Sequence, residues 1–245
     1  MTTASRMVNG RFGTAALGLL LIAACGQDGS DSPTSEHLRG AGATTLSAAL
    51  EFTQGGDDSL ATLQMALGDE DWMARAQAAT ILGRLGDPAI EFLGPATTDV
   101  NEAVRVNALA ALHSISGSGT VTWLIAALDD PSARVRIRAL RALSEAGALS
   151  RAQAARVVDL FNAPSQKERR WASLVAVAAG PAAVAPLAAA LDAGDDERWR
   201  VAWALGQIGP RAAEALPRLR ELTSSTAPRM ATEAAAAISA IETDL

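Results

Sequence analysis

A segment that recurs about every 30 residues is the feature that most constrains this chain. The third residue after the start of each copy is small and apolar, and the seventh residue after the start is leucine or alanine. Positions three and seven share one face of an α-helix. A fixed period of this length indicates stacked units, each of which buries its apolar face only against its neighbours. The copies begin at five arginines, Arg75, Arg105, Arg136, Arg169 and Arg198.

Helix ends and a second helix complete each predicted unit. A glycine eleven residues after the arginine predicts the end of the first helix at Gly86, Gly147, Gly180 and Gly209, because glycine adopts positive φ without a Cβ clash. Asp130 followed by Pro131 indicates an N-cap and the first helical position. The apolar spacing in residues 121–128, 184–191 and 216–222 predicts a short second helix.

The copies at the two ends are predicted to be atypical, since a terminal unit has a neighbour on one side only. A sixth copy fits with Ala231 in the arginine position, which places Ala234, Ile238 and Ile241 on the apolar face. An incomplete opening copy is indicated by Leu46, Leu50, Leu60, Leu63 and Leu67.

Composition agrees with a helical repeat. Hydrophobic residues make up 49% of the chain and aromatic residues only 4%. Alanine supplies much of the apolar fraction, which favours closely packed helices over a β-sandwich of branched and aromatic residues. We therefore expect an all-α fold, an α-solenoid of stacked helix pairs over residues 43–245.

The N-terminus is predicted to be an export signal. Residues 1–24 hold two basic residues, Arg6 and Arg11, and no acidic residue, and they end in the apolar run Phe12–Ala24. This is the layout of a secretory signal peptide. The run is shorter than the roughly 20 residues of a transmembrane helix, so a permanent span is disfavoured.

The residues Leu21-Ile22-Ala23-Ala24-Cys25 resemble the lipobox of bacterial lipoproteins. This resemblance implies cleavage before Cys25 and diacylation of its thiol; an ordinary signal peptide or a buried thiol is the alternative. Residues 25–42 are rich in Gly, Ser, Asp and Pro and predict a flexible tether. We expect an exported, lipid-anchored protein of the cell envelope, on the outer membrane facing the periplasm or at the cell surface.

The repeat itself resembles a known family, the short HEAT-like repeats first described in phycobilin lyases. The segments that carry the resemblance run from Val104 to Leu112, from Val135 to Leu143 and from Arg198 to Gly209, and the similarity covers about residues 67–242. It implies the solenoid fold and is nearly silent on function. Two departures predict local irregularity: Pro95 interrupts the second helix of the first copy, and Glu168 stands where the family has an apolar residue.

The recurrent arginines are interpreted as architectural. A guanidinium at each turn between copies can donate hydrogen bonds to the carbonyls at a helix end, or it can pair with a carboxylate of a neighbouring loop. The candidate carboxylates are Asp71, Asp99, Asp130, Asp195 and Asp196.

Three consecutive first helices break the pattern at positions one, two and five after the arginine. At 100° per residue, these positions point away from the apolar stripe and are predicted to face solvent. In the third to fifth copies they include the Trp/Arg strip, which we define as Arg138, Arg141, Arg170, Trp171, Trp199, Arg200 and Trp203. Trp and Arg are enriched at interface hot spots, so the strip is a candidate partner-binding site. Alternatively, the indoles pack over neighbouring ridges and the arginine stems extend across them.

Several classes of function are disfavoured. One cysteine and two histidines leave little for a zinc site, and no motif of nucleophilic or acid-base catalysis is recognisable. The formal net charge of −6 does not suggest a nucleic-acid-binding protein. We therefore expect no enzyme activity, no metal and no cofactor.

The favoured function is a non-catalytic scaffold, anchored to the membrane by its lipid, that binds an envelope protein or peptide through its repeat surface. A monomer is expected. Two alternatives remain: a lyase-like enzyme or an accessory subunit of one, and a surface on which exposed tryptophans stack against glycans.

Overall fold

Helices account for nearly all regular structure in the computed structural model, which describes residues 58–115, 117–146, 148–192 and 198–243. These ranges lie in one unit, Ala41–Leu245, and contain no strand. The first helices of the successive copies are α2 (Trp72–Leu82), α4 (Glu102–Ile115), α6 (Ala133–Leu143), α8 (Gln166–Ala179), α10 (Trp199–Ile208) and α12 (Pro228–Glu242). The second helices are α1 (Asp58–Ala66), α3 (Ile90–Ala96), α5 (Val121–Ala126), α7 (Arg151–Val158), α9 (Pro181–Ala190) and α11 (Leu216–Leu222).

Four first helices, α2, α4, α6 and α8, begin at a polar side chain four residues before the arginine, namely Asp71, Asn101, Ser132 and Ser165. The N-cap residues of α10 and α12 are Arg198 and Ala227, which form no side-chain cap. Asp71 caps α2 by accepting a hydrogen bond from the Met73 amide, and Ser132 caps α6 by accepting one from the Arg134 amide. These bonds satisfy backbone donors that have no partner within the helix. The prediction of an N-cap at Asp130 was wrong: the N-cap is Ser132, two residues later, and Asp130 is left for another contact.

Two first helices end at the predicted glycine, α8 at Gly180 and α10 at Gly209. The predicted end of α2 at Gly86 was wrong: α2 ends at Leu82 with Gly83 as its C-cap, and Gly86 lies in the turn that leads to α3. Gly86, Gly180 and Gly209 have φ values of 76°, 56° and 69°. A Cβ is strained at such angles, so these positions favour glycine. Gly147 lies outside the described residues.

The apolar stripe of the first helices forms the core. Position three is buried in all six copies, at Ala78, Ala108, Ala139, Ala172, Val201 and Ala234. Position seven is buried in the five copies that start with arginine, at Leu82, Leu112, Leu143, Ala176 and Leu205. The small residues at position three allow the helices to approach closely, while the leucines fill the space between layers.

Neighbouring copies stack in sequence order. In the first layer α2 packs on α4, α4 on α6, α6 on α8, α8 on α10 and α10 on α12. In the second layer α5 contacts α7 and α7 contacts α9. Because each first helix packs on the next one along the chain, the described residues form an all-α solenoid of helix pairs, which confirms the predicted fold class.

Some predicted details differ in the structure. Pro95 does not interrupt the second helix: α3 includes Pro95 and ends one residue later, at Ala96. A second helix was predicted for every unit, but the residues of α7 in the third copy were not assigned from the sequence. Leu63 of the opening copy is buried, whereas Leu46, Leu50, the signal segment 1–24, the tether 25–42 and Cys25 all lie outside the described residues.

Within the described ranges, every helix is too short or too polar to cross a bilayer. This finding concerns those helices only.

Two glycines mark the closest approach between first helices. A Cβ built on Gly83 would lie 2.8 Å from the Cα of Ala111, and one built on Gly206 would lie 2.9 Å from the Cα of Ala237. Gly83 and Gly206 both stand eight residues after their arginine, and each faces position six of the next copy. The obstacle in both cases is backbone, which cannot move aside as a flexible side chain can.

Substituting Gly206→Ala is expected to destabilise the protein by about 1–3 kcal/mol, because the added methyl overpacks the contact between α10 and α12. Without that contact, alanine inside a helix would stabilise by up to about 1 kcal/mol. Urea unfolding followed by circular dichroism measures the difference. The control is Ser239→Ala, at the equivalent position of α12 on an exposed site, where stability should not fall. An unchanged or increased stability of Gly206→Ala would contradict the close packing.

Candidate partner-binding surface

The inter-repeat arginines hold the first helices in register. Arg75 donates from Nε and Nη2 to the two carboxylate oxygens of Asp99, over 2.7 and 2.9 Å. Arg105 makes the same two-pronged contact with Asp130, over 2.7 and 3.0 Å. In each case the partner lies in the loop that leads to the next first helix. Such bidentate pairs fix both distance and orientation.

The remaining guanidinium nitrogen of each arginine binds the loop just before its own helix. Nη1 of Arg105 donates to the carbonyls of Asp99 and Val100, over 2.9 and 3.2 Å. Arg75, Arg136 and Arg169 repeat this pattern on the carbonyls five and six residues before them. Arg198 differs, since its Nη1 donates to the carbonyl of Leu191. One arginine therefore joins two successive loops.

The aspartates of this chain of contacts are themselves fixed by the backbone. The carboxylate of Asp99 accepts a hydrogen bond from the Asn101 amide at 2.7 Å, and that of Asp130 accepts one from the Ser132 amide at 2.8 Å. The hydrogen bonds from Arg75 hold the pKa of Asp99 below its ordinary value, although burial opposes this shift. The hydrogen bond to Asp130 raises the pKa of Arg105. These hydrogen bonds therefore favour the charged forms of Asp99 and Arg105.

Glu168 replaces the missing loop aspartate in the fourth copy. Ala163 occupies the place that Asp99 and Asp130 hold in earlier copies, so this loop offers no carboxylate to Arg136. Glu168, one residue before Arg169 and fully buried, supplies the carboxylate and pairs with Nε of Arg136. The departure noted in the sequence is thus a displaced ion pair, and helix α8 around it remains regular.

The seven residues of the Trp/Arg strip lie on three adjacent helices of the first layer. Arg138 and Arg141 are on α6, Arg170 and Trp171 on α8, and the remaining three on α10. Arg141 and Arg170 are exposed, while the three tryptophans are half-buried and pack against the core. The structure therefore brings the strip together on one layer.

Exposure of the strip differs from the prediction in detail. Positions one and two after the arginine are mostly half-buried, and Ala76 at position one is buried. Position five is exposed at Thr80, Arg141 and Leu174. Each first helix from α4 to α10 has another first helix on both sides, so residues at positions one and two lie beside an adjacent helix rather than in open solvent.

The ring of Trp199 is covered by cations. The guanidinium carbon of Arg229 lies 3.2 Å from the ring centroid, and that of Arg200 lies 4.3 Å from it. Both distances are within the range of cation-π attraction. Arg229 belongs to α12 and was not included in the predicted strip, because it falls outside positions one, two and five. The only feature of the sequence that could have indicated Arg229 is the predicted stacking of the sixth copy on the fifth.

The exposed surface of these helices is basic. Within α6, α8 and α10 the only carboxylate is Glu168, which is buried. Carboxylates do border this surface: Glu102 pairs with Arg134, and Glu145 with His113. On a chain with a formal net charge of −6, three neighbouring helices without an exposed acid form a distinct positive region.

Chemistry that needs a cluster of ligands is not seen in the described ranges. They contain no group of three or more His, Cys, Asp or Glu side chains placed to hold a metal ion. His113 lies at the end of α4, with its Nε2 3.1 Å from a carboxylate oxygen of Glu145. This histidine joins two copies, as the arginines do.

Two family models match the sequence. The model for HEAT repeats matches residues 90–178, and the model for the PBS lyase HEAT-like repeat matches residues 197–225. The chain contains HEAT-like repeats. The resemblance seen in the sequence is confirmed to this extent. No curated protein matches the chain.

The chain is similar to several solved structures. An engineered protein from the Northeast Structural Genomics Consortium aligns over 77% of this chain and 98% of its own, with a TM-score of 0.50 and 21% identity. The archaeal HEAT-like repeats protein from Thermococcus onnurineus NA1 aligns over 87% and 99%, with a TM-score of 0.48 and 17% identity. The complex of CpcE and CpcF of phycocyanin lyase from Nostoc sp. PCC7120 aligns over 76% and 78%, with a TM-score of 0.48 and 19% identity. Identities this low concern the fold alone.

Substituting Asp130→Asn is expected to lower the free energy of unfolding by about 1.5–3 kcal/mol, the range for a hydrogen bond to a charged group. The side chains of Arg105 and Asp130 are only 12% and 7% exposed, so solvent compensates little. The matched control is Asp129→Asn, which breaks an exposed pair with Arg156 and should cost about 0–1 kcal/mol. Chemical denaturation of both variants measures the contrast. Equal losses would show that burial does not distinguish the two pairs.

Proposed function

We propose that this protein is a non-catalytic, lipid-anchored scaffold of the bacterial cell envelope that holds a protein or peptide partner on the Trp/Arg strip. One observation carries the proposal. The strip lies on three consecutive first helices that expose no carboxylate, and the pair of Arg136 and Glu168 joins the first two of them, α6 and α8. An ordered surface whose exposed charges are all positive suits a macromolecular partner, because little freedom is lost when the partner binds.

The state of the tryptophans supports a protein partner over a glycan. Sugar rings stack on open indole faces, whereas the ring of Trp199 is occupied by the guanidinium groups of Arg200 and Arg229. Trp171 and Trp203 pack against the core. The groups offered to a partner are mainly guanidinium groups, with the indoles supporting them from below.

The proposal includes no catalytic role, cofactor or nucleic acid. The inter-repeat arginines with a paired acid are engaged in holding the copies together, which leaves them unsuited to proton transfer. A basic surface also attracts nucleic acid, but the formal net charge of −6 opposes such binding at longer range.

Anchoring through Cys25 is part of the same proposal. It is supported by the apolar run Phe12–Ala24 and the lipobox-like residues before the cysteine. A diacyl group holds a protein firmly, since one acyl chain alone gives only marginal attachment. The repeats would then act at the membrane, on the outer membrane facing the periplasm or at the cell surface.

Site-specific crosslinking tests the binding role. A photoreactive benzoylphenylalanine in place of Leu174, which is 38% exposed and one turn from Arg170, is expected to form an adduct with a defined envelope protein in intact cells. The control position is Ala152, exposed on α7 in the other layer, and it should not give the same adduct. Arg170→Glu should weaken the Leu174 adduct without changing the melting temperature. Identical adducts from both positions, or none from Leu174, would rule out a partner site on the strip.

Acyl labelling tests the anchor. Replacing the single cysteine by Cys25→Ser is expected to abolish incorporation of an alkyne fatty acid, because no other thiol is present in the chain. Ser30→Ala, in the same tether, should keep the label and the membrane fractionation of the wild type. Labelling of the Cys25→Ser protein would disprove lipidation at this residue.

A further inference from the structure

The chemistry of the partner can be read from the charge of the surface. The exposed cations of α6, α8 and α10 are not balanced by any exposed carboxylate on those helices. On α12, which packs on α10, the two carboxylates are Glu233, which is half-buried, and Glu242, which is paired with Arg220. A positive field therefore extends across the strip and attracts negative groups from solution.

Three exposed arginines on this surface are open for binding. Arg141, Arg170 and Arg229 form no ion pair with any described residue, and all three are exposed. They differ from Arg75 and Arg105, whose guanidinium groups are filled by aspartates and backbone carbonyls. Arginines between copies thus have carboxylate and carbonyl partners for their N–H donors, whereas these three surface arginines have no carboxylate partner within the described ranges.

Arg229 is also held in place. Its guanidinium carbon lies over the Trp199 ring, 3.2 Å from the centroid, so the contact with the indole restricts the positions that the group can take. The N–H donors point outward along the edge of a guanidinium, and that edge matches the two oxygens of a carboxylate. Stacking on Trp199 therefore reduces the freedom lost on binding while it leaves the donors for a ligand.

We propose that the Trp/Arg strip, together with Arg229, binds an acidic segment of a partner protein, with carboxylates on Arg141, Arg170 and Arg229. This inference rests on the proposed function and adds the chemistry of the partner. A carboxylate-bearing peptide fits better than a bilayer, because proteins that lie on membranes insert exposed apolar side chains. Here the indoles are packed against the core, and Leu174 is the large apolar side chain of α8 that stands exposed.

Fluorescence anisotropy with defined peptides tests the inference. The full-length protein in neutral detergent is titrated into labelled peptides of alternating glutamate and leucine, alternating lysine and leucine, and alternating glutamine and leucine. The glutamate peptide alone should bind, and its affinity should fall as salt rises. The variant Arg141→Gln/Arg170→Gln/Arg229→Gln should bind about tenfold more weakly, as expected for three exposed ion pairs.

The matched control removes the same charge elsewhere. Arg84, Arg151 and Arg211 are also exposed and form no ion pair with a described residue, and the variant Arg84→Gln/Arg151→Gln/Arg211→Gln should bind like the wild type. Equal weakening of both triple variants would overturn the inference, since only net charge would then matter. Circular dichroism of each variant confirms that the fold is kept.

Two further outcomes separate this inference from the proposed function. If the Leu174 crosslink forms but the glutamate peptide does not bind, the acidic partner is wrong and the scaffold stands. If neither is seen, both are wrong. A different result would assign the surface to lipid and overturn the inference. In that case the Cys25→Ser chain would float with phosphatidylglycerol vesicles but not with phosphatidylcholine vesicles, and it would not bind the glutamate peptide. The substitutions at Arg141, Arg170 and Arg229 would abolish this flotation.

Discussion

The bidentate contact between an arginine of one copy and an acid of the next is the interaction on which the stack depends. Apolar burial brings helices together without fixing their register, because alanine and leucine pack at several offsets. The guanidinium adds direction: its Nε and Nη2 bind the carboxylate of the following loop, while Nη1 binds carbonyls of the preceding one. A shift of one first helix past the next would break both hydrogen bonds to the carboxylate at once. The contact is nearly buried, so water does not replace what is lost.

The fourth copy shows that the acid can occupy another sequence position, provided that its carboxylate still contacts the guanidinium of the preceding copy. Asp99 and Asp130 approach the guanidinium from a loop, six residues before their own arginine position, whereas Glu168 approaches from a helix, one residue before it. Glutamate has one more methylene than aspartate, and it emerges from the position that valine fills in the two preceding copies. The contact is therefore kept although the loop has lost its acid at Ala163. What the repeat preserves is a charge at the guanidinium, delivered by whichever side chain reaches it.

The fold was predictable from the sequence because the signal is local and repeated. The residues three and seven positions after each arginine are buried, as a helix of 3.6 residues per turn requires. The caps were harder to assign: Asp130 and Ser132 are both good N-cap residues, and the choice between them depends on Arg105, which lies 25 residues away. The role of Glu168 was missed for the same reason. Contacts between copies decide these residues, and periodicity within one copy does not contain them.

The surface was predicted in composition but not in exposure, since a helical projection treats each helix as if it stood alone. In the stack, neighbouring helices partly cover positions one and two. Trp171, Trp199 and Trp203 therefore pack against the core, and the side chain of Arg200 lies over Trp199. Arg229 joins them only because α12 packs on α10. An arginine at the repeat position meets an acid supplied by the next copy, whereas an arginine on the outward side of α6 or α8 meets none, because those helices carry no exposed acid. The difference between a structural arginine and one that is proposed to bind a partner therefore depends on where the carboxylates lie. In the proposed function, the partner supplies the carboxylates that the surface of α6 and α8 lacks.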